Sequence, residues 1–235
     1  MKRWKTEWYA SARTRRAELW RGVEAQHFVA TMRLADTLDE QRVLEELLEG
    51  SKPAPPPEAR GRHPLIATPY RYRVPFASRF RRADEAGIWY GAESLRTCCA
   101  EIGYWRWRFL MDSEGLRGAA LHTQHTLFPA PVRGVAIDLG AAPWRSLSEQ
   151  WTSRSDYTAC QALAADARER GVEWIRYRSA RDGEGGACGA VLTAPALGEP
   201  DLLRQQTWTC KTTAARVYLA HAYEDAYEFE AAAWQ

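Results

Sequence analysis

The clearest helical pattern begins at Thr37. Leu44, Leu47 and Leu48 recur at helical spacing and form one apolar stripe. Thr37-Leu38-Asp39-Glu40 in front of that stripe is a capping box, in which the Thr37 hydroxyl accepts from the Glu40 N–H and Glu40 reaches back. Gly50 can end the helix and Pro53 prevents its resumption. Pro53-Ala54-Pro55-Pro56-Pro57 then reads as a stiff, extended connector and not as an SH3 ligand. A strand is predicted at Ile88–Tyr90. A helix follows, capped by Ser94, with Leu95, Cys98, Cys99 and Ile102 on one face and Glu101 on its border. Strands are predicted near His122–Phe128 and at Val135–Leu139. Thr158 is read as the cap of a later helix, with Cys160, Leu163, Ala164 and Ala167 inward and Gly171 as terminator. Further strands are predicted at Val172–Tyr177, Ala190–Thr193, Thr207–Lys211 and Arg216–Ala220. Helices and strands are mixed without regular βαβ alternation, which favours an α+β fold over a doubly wound sheet.

Composition narrows the classes. The chain has 235 residues, 46% of them hydrophobic and 26% charged, enough for a buried core. Its formal charge is +2, from 32 Lys+Arg against 30 Asp+Glu, so it lacks the basic excess of a non-specific nucleic-acid binder. There is no apolar run of transmembrane length. The basic start continues through Arg13, Arg15 and Arg16 with no apolar stretch behind it, so no secretory signal is expected. The five Cys form no CxxC pair, which points away from a zinc ribbon or disulfide framework and towards reduced thiols in a cytoplasm. Eleven Trp and ten Tyr stand against six Phe. Such side chains suit half-buried sites, and most of these Trp are expected simply to fill the core.

Most familiar chemical motifs fail. Gly183-Glu184-Gly185-Gly186-Ala187-Cys188-Gly189 lacks the dinucleotide spacing and precedes a strand, so it reads as a hairpin loop. His122 and His125 lie in a stretch read as extended, where three-residue spacing sends the rings to opposite faces and disfavours a shared metal. No nucleophile elbow, P-loop or HExxH is present. One constellation is left: Arg79, then Tyr90 eleven residues on at the end of a strand, then Glu101 eleven further on a helix. Arg forks onto phosphate, Tyr stacks on a flat ring, and a carboxylate stabilises an oxocarbenium-like transition state. The same residues equally describe an Arg79–Glu101 salt bridge beside a packed Tyr.

The surrounding residues add a resemblance. Ser78-Arg79-Phe80, then Gly87 to Ser94 around Trp89-Tyr90-Gly91, then Thr97-Cys98-Cys99-Ala100-Glu101-Ile102 resemble the core of the RES domain family. Leu19-Trp20-Arg21 is similar to that family's early Trp-Arg element. Tyr157-Thr158-Ala159-Cys160-Gln161 is similar to its later helix start, and Gly171 to Ser179 to the strand that ends in its serine. Thr158 and Ser179 both compete for that serine; Ser179 is preferred, with Thr158 as a further pocket hydroxyl. The resemblance runs from Arg21 to Thr193, with a longer stretch between Arg21 and Arg79 than compact members have. It suggests an N-terminal helical extension and connector over 1–57, holding a first core element near 19–30, and a RES-like body over 58–235.

The resemblance implies a fold similar to ADP-ribosyltransferases, with antiparallel or mixed sheets and flanking helices. It implies a toxin that consumes NAD+ as substrate, with no resident cofactor or metal. Arg79, Tyr90, Glu101 and Ser179 would be catalytic, and Arg21 and Thr158 would bind substrate. The implied reaction is cleavage of the nicotinamide–ribose bond by hydrolysis or phosphorolysis, and the implied partner is an Xre-like antitoxin, in a homo-oligomer or a toxin–antitoxin hetero-oligomer. Two alternatives stay open, an ADP-ribosyltransferase acting on a protein and a non-catalytic binding partner of a regulator. A nuclease is disfavoured by the near-neutral charge and the lack of clustered carboxylates. No membrane association is expected.

Overall fold

Strand β1, Arg13–Glu24, was hard to see in the sequence because its outer face is charged. Thr14, Arg16 and Glu18 face solvent while Leu19 is fully buried. In the computed structural model, which describes residues 4–25, 34–222 and 225–235, this strand lies at the centre of the fold. It is the first core element expected near 19–30; the part of that span from 26 on lies outside the described residues. The charges at Arg13, Arg15 and Arg16 thus belong to a strand, where Arg15 pairs with Asp138 at 3.4 Å.

Helix α1, Leu38–Ser51, starts as its cap dictates: Glu40 N–H donates to Thr37 Oγ1 at 3.2 Å. The Glu40 carboxylate reaches one residue further back than expected, to the N–H of Asp36 at 2.8 Å. The helix runs through Gly50 and stops at the extended Lys52 before Pro53. Helix α2, Pro64–Arg71, was not anticipated; it is only two turns long, and Pro64 and Pro69 mask its periodicity.

Strand β2, Trp89–Ala92, leads into α3, Leu95–Asp112, across the Ser94 cap, whose Oγ accepts from the Thr97 N–H at 3.2 Å. Strand β3, Leu121–Asp138, is one continuous strand where two were expected. Pro129 and Pro131 lie in its middle, between the two predicted spans. Their carbonyls accept from Asp201 N and Gly198 N, at 2.9 and 2.7 Å, on the edge away from β1. The missing proline N–H groups face that same edge, in the gap between β6 and β4, so the ladder to β1 continues past them.

The single turn α4, Ser148–Trp151, precedes α5, Thr158–Glu169. Thr158 is the first residue of α5 and not its cap: the Asp156 carboxylate accepts from the Thr158 N–H at 2.9 Å. Cys160, Leu163, Ala164 and Ala167 are buried as expected. Gly171, at φ +71°, closes the helix, with Gly171 N bonded to Arg168 O and Val172 N to Ala167 O. Strands β4, Trp174–Arg178, and β5, Ala187–Val191, form a hairpin around the glycine loop. Then come β6, Gln206–Thr212, β7, Arg216–His221, and β8, Asp225–Glu230.

The sheet order is β1-β2-β5-β4-β3-β6-β7-β8, and β1 also pairs with β3. Strands β1, β2, β5, β4 and β3 therefore close a ring, and β6 to β8 extend it as an antiparallel meander. Only β3 and β4 run parallel among the described pairs, so the fold is α+β with a mixed sheet, as expected. Leu19, Trp89, Phe128, Trp174 and Val191, one from each strand of the ring, pack together with Ile66 of α2. The larger cluster lies under α3 and α5 and holds Trp4, Trp107, Trp144, Trp151 and Trp234. Most Trp are thus core, and their indole N–H groups are satisfied: Trp4 donates to Asp166, Trp151 to Trp144 O and Trp174 to Gly134 O. No described helix is long and apolar enough to cross a membrane.

Candidate active-site cleft

A cleft of about 370 Å³ opens where β1, β2 and α3 meet the loops before β2 and after β4. Arg21, Arg79, Tyr90 and Glu101 all line it. Each arrives by a separate local device. Arg21 follows Trp20 at the point where β1 meets β2, and its Nη1 donates to the Tyr90 carbonyl at 2.9 Å. Its guanidinium also lies 5.4 Å from the Trp89 ring centroid, and burial draws its pKa below the usual value.

Arg79 sits at the tip of a tight turn in which Ser78 and Arg81 exchange backbone bonds. The Tyr90 hydroxyl pins this turn, bonding Ser78 Oγ at 2.8 Å and accepting from Phe80 N at 3.1 Å. Gln161 of α5 clamps it from the other side, donating to Ser78 O at 3.0 Å. Arg79 Nη1 donates to the carbonyls of Trp151 and Ser153 at 3.0 and 2.8 Å. It makes no ion pair with Glu101 among the described residues, so the salt-bridge reading does not describe this site.

Glu101 stands on the second turn of α3 and is half-buried. Its Oε1 accepts the Ser179 hydroxyl at 2.6 Å. The Ser179 oxygen in turn accepts from Arg181 N at 3.0 Å and Asp182 N at 3.1 Å, which directs its proton to the carboxylate. The loop carrying Ser179 is locked to the start of α3, because Thr97 Oγ1 donates to Asp182 at 2.8 Å. Gly186 is needed there, since a Cβ at that position would run into Thr97.

Ser179 thus meets Glu101 across a sequence separation of 78 residues, whereas Thr158 does not join them. Thr158 is exposed at the start of α5 and bonds Asp156, so its expected place as a pocket hydroxyl is corrected. Of the two hydroxyls, Ser179 is the one that bonds Glu101.

Other cleft residues were not singled out. Arg181 and Tyr157 lie beside Arg79, and Trp105 of α3 stands half-exposed at the rim. Arg106 is paired with Glu24 at 2.7 Å. His125 is buried on β3, bonds Thr123 Oγ1 at 2.9 Å, and is held to a pKa of about 4 by burial and by Arg106, so its ring is neutral at pH 7. His122 is exposed, on the opposite face of the strand, as the extended spacing implied. The cleft thiols are unreactive in kind: burial pushes Cys98 to about 12 and Cys188 well above the ordinary value. All five Cys are free and buried. No His, Cys, Asp and Glu cluster among the described residues could hold a metal ion. What the cleft offers is a carboxylate oriented by a hydroxyl, with Arg21, Arg79 and Arg181 nearby and none of the three paired to a carboxylate among the described residues. Such a set favours an anionic ligand and a cationic transition state.

The family model described as RES domain matches residues 55–213. No curated protein matches the chain in sequence. Among solved structures, a chain from the crystal structure of the M. tuberculosis MbcT–MbcA toxin–antitoxin complex is similar, at 14% identity and a TM-score of 0.49, over 98% of this chain and 96% of that one.

Proposed function

The chain belongs to the RES domain family, and from that membership and the chemistry of the cleft we propose that it cleaves the nicotinamide–ribose bond of NAD+. The observation that carries the proposal is the Glu101–Ser179 pair at 2.6 Å, set in a cleft where Arg21, Arg79 and Arg181 lack carboxylate partners among the described residues. In this reading Arg21 and Arg79 hold the dianionic pyrophosphate. Tyr90 packs its ring against the nicotinamide end while its hydroxyl keeps the Arg79 turn in place. Glu101, with one oxygen fixed by Ser179, turns the other to the ribose hydroxyls and stabilises the positive charge that grows at the ribose C1′.

The bond between C1′ and the pyridinium nitrogen breaks, and its electron pair leaves with neutral nicotinamide. A water oxygen bonds to C1′ and loses its proton to solvent, giving ADP-ribose. With inorganic phosphate as nucleophile the product is ADP-ribose 1-phosphate. NAD+ is consumed, so it is a substrate and not a recycled cofactor. As a toxin of this kind in a bacterial cytoplasm, the protein would be neutralised by an Xre-like antitoxin.

The test is purified chain incubated with NAD+, with and without phosphate, and products read by mass spectrometry. ADP-ribose or its 1-phosphate is the expected result. Label transferred to a protein would replace this reading by ADP-ribosyl transfer, and an unchanged NAD+ pool would leave a non-catalytic binding protein.

A further inference from the structure

The loop after β4 places a guanidinium in the cleft that the reading above does not use. Arg181 is 4% exposed. Its Nη2 donates to Arg154 O at 2.6 Å and to the Tyr157 hydroxyl at 2.9 Å. Its Cζ lies 3.4 Å from the Tyr104 ring centroid, so the plane of the group is set by stacking. Its backbone is held as well, by the bond to Ser179 Oγ and by the Trp234 indole N–H, which donates to Arg181 O at 2.8 Å. Against this, Nη1 is buried with no hydrogen-bond partner among the described residues.

No carboxylate balances the charge among the described residues. The nearby acids are already taken: Asp182 by Thr97 and Arg96, Glu24 by Arg106, and Glu101 by the Ser179 hydroxyl. A fixed, buried guanidinium with the NH2 group of Nη1 left over and no counter-charge is unfavourable unless a ligand supplies the missing acceptor. Tyr157 shows where that ligand would lie. Its ring sits under Arg79, 4.7 Å from the guanidinium carbon, and its hydroxyl holds Arg181. One aromatic side chain therefore spaces two arginines on the same cleft wall.

We propose that Arg181, positioned by Tyr157 and Tyr104, is an anion-binding residue that shares a pyrophosphate-type dianion with Arg79. Arg181 Nη1 donates to one phosphate oxygen and Arg79 engages the other phosphate. The anion site stands on this geometry; its assignment to the pyrophosphate of NAD+ rests on the function proposed above.

The probe is inorganic pyrophosphate, titrated calorimetrically at low salt into the purified chain, into Arg181→Gln, Arg181→Lys and Tyr157→Phe, and into Arg204→Gln as a surface control. Wild type and the control are expected to bind alike. Arg181→Gln should weaken binding at least about tenfold, and Arg181→Lys and Tyr157→Phe by several-fold, because a charge without the planar fork, or a fork without its anchor, is less well placed. Melting curves separate lost binding from lost fold. If Arg181→Gln does not fold, the other two variants decide. Absence of pyrophosphate binding by wild type, or unchanged affinity in folded Arg181 and Tyr157 variants, overturns the proposal.

A second arm titrates NAD+ in a Glu101→Gln background, where turnover is suppressed. Pyrophosphate binding that depends on Arg181, together with no NAD+ binding, would leave the anion site standing and remove the dinucleotide reading. NAD+ binding indifferent to Arg181→Gln would do the reverse.

Discussion

Helices α1 and α3 begin alike and end in opposite surroundings. Thr37 and Ser94 each accept from an N–H three residues on, and each cap opens a run with apolar residues at helical spacing. Yet Leu47 of α1 is 67% exposed, while Leu110 of α3 is fully buried. The capping hydrogen bond and the stripe specify that a helix forms; they do not specify what covers it. Helix α3 is covered because it lies across β1, β2 and the meander β6 to β8, with Cys99, Tyr104 and Trp107 turned to the sheet. Helix α1 stands between residue 34 and the proline connector and is tied to the body by polar links such as Glu49–Arg71 at 2.8 Å. The difference matters for function because Glu101 inherits the rigidity of α3.

Truncating a covered position should give the largest effect. Leu110→Ala is expected to lower unfolding free energy by about 2–5 kcal/mol, read from urea denaturation. A loss below about 1 kcal/mol would mean that α3 is not the core helix described here. Next comes the site on that helix. Ser179→Ala removes the hydroxyl that orients Glu101, and nicotinamide release from NAD+ should fall roughly 10- to 100-fold, about 1.4–2.7 kcal/mol, beside a stability loss of about 1–3 kcal/mol from the stranded Arg181 and Asp182 N–H groups. Equal rates would show that Glu101 needs no orienting partner. Ser94→Ala should cost about 1 kcal/mol of global stability through the lost cap. The smallest effects are expected on α1: Thr37→Ala and Leu47→Ala should each leave global unfolding within about 0.5 kcal/mol of wild type. A Leu47→Ala loss as large as that of Leu110→Ala would erase the contrast between the helices.

What could be read in advance was mostly local. The Ser94 cap and the border position of Glu101 lie within one short stretch, so periodicity and spacing suffice to place them; the strand carrying Tyr90 was legible too, although it runs on to Ala92 instead of ending at Tyr90. The Gly171 terminator is equally local. Readings failed where tertiary structure supplied the missing partner. Strand β1 was anticipated only as a core element near 19–30 and not as a strand from Arg13, because its pattern makes sense only against β3. Strand β3 was read as two strands, and only the sheet shows that the edge facing the missing N–H groups of Pro129 and Pro131 lets it continue between them. The leucine stripe of α1 was legible as a stripe and illegible as an exposed one. Thr158 resembled a cap, but Asp156 two residues earlier bonds that N–H. Arg181 carried no periodic signal at all, since it lies in an irregular loop whose path is set by Thr97, Trp234 and Gly186.

The near-neutral charge of the chain also acquires a local meaning. A small dianionic substrate needs no global basic field, and Arg21, Arg79 and Arg181 around one carboxylate supply a local excess within one cleft.

The central claim is that Glu101, oriented by Ser179, drives departure of nicotinamide from NAD+. The most direct measurement is the rate of nicotinamide release by wild type beside Glu101→Gln, at matched concentration and with melting curves showing both folded. The expected result is release by wild type and a loss of at least about 100-fold in Glu101→Gln, a substitution that keeps size and removes the negative charge. Equal release by the two proteins, or none from wild type, would contradict it.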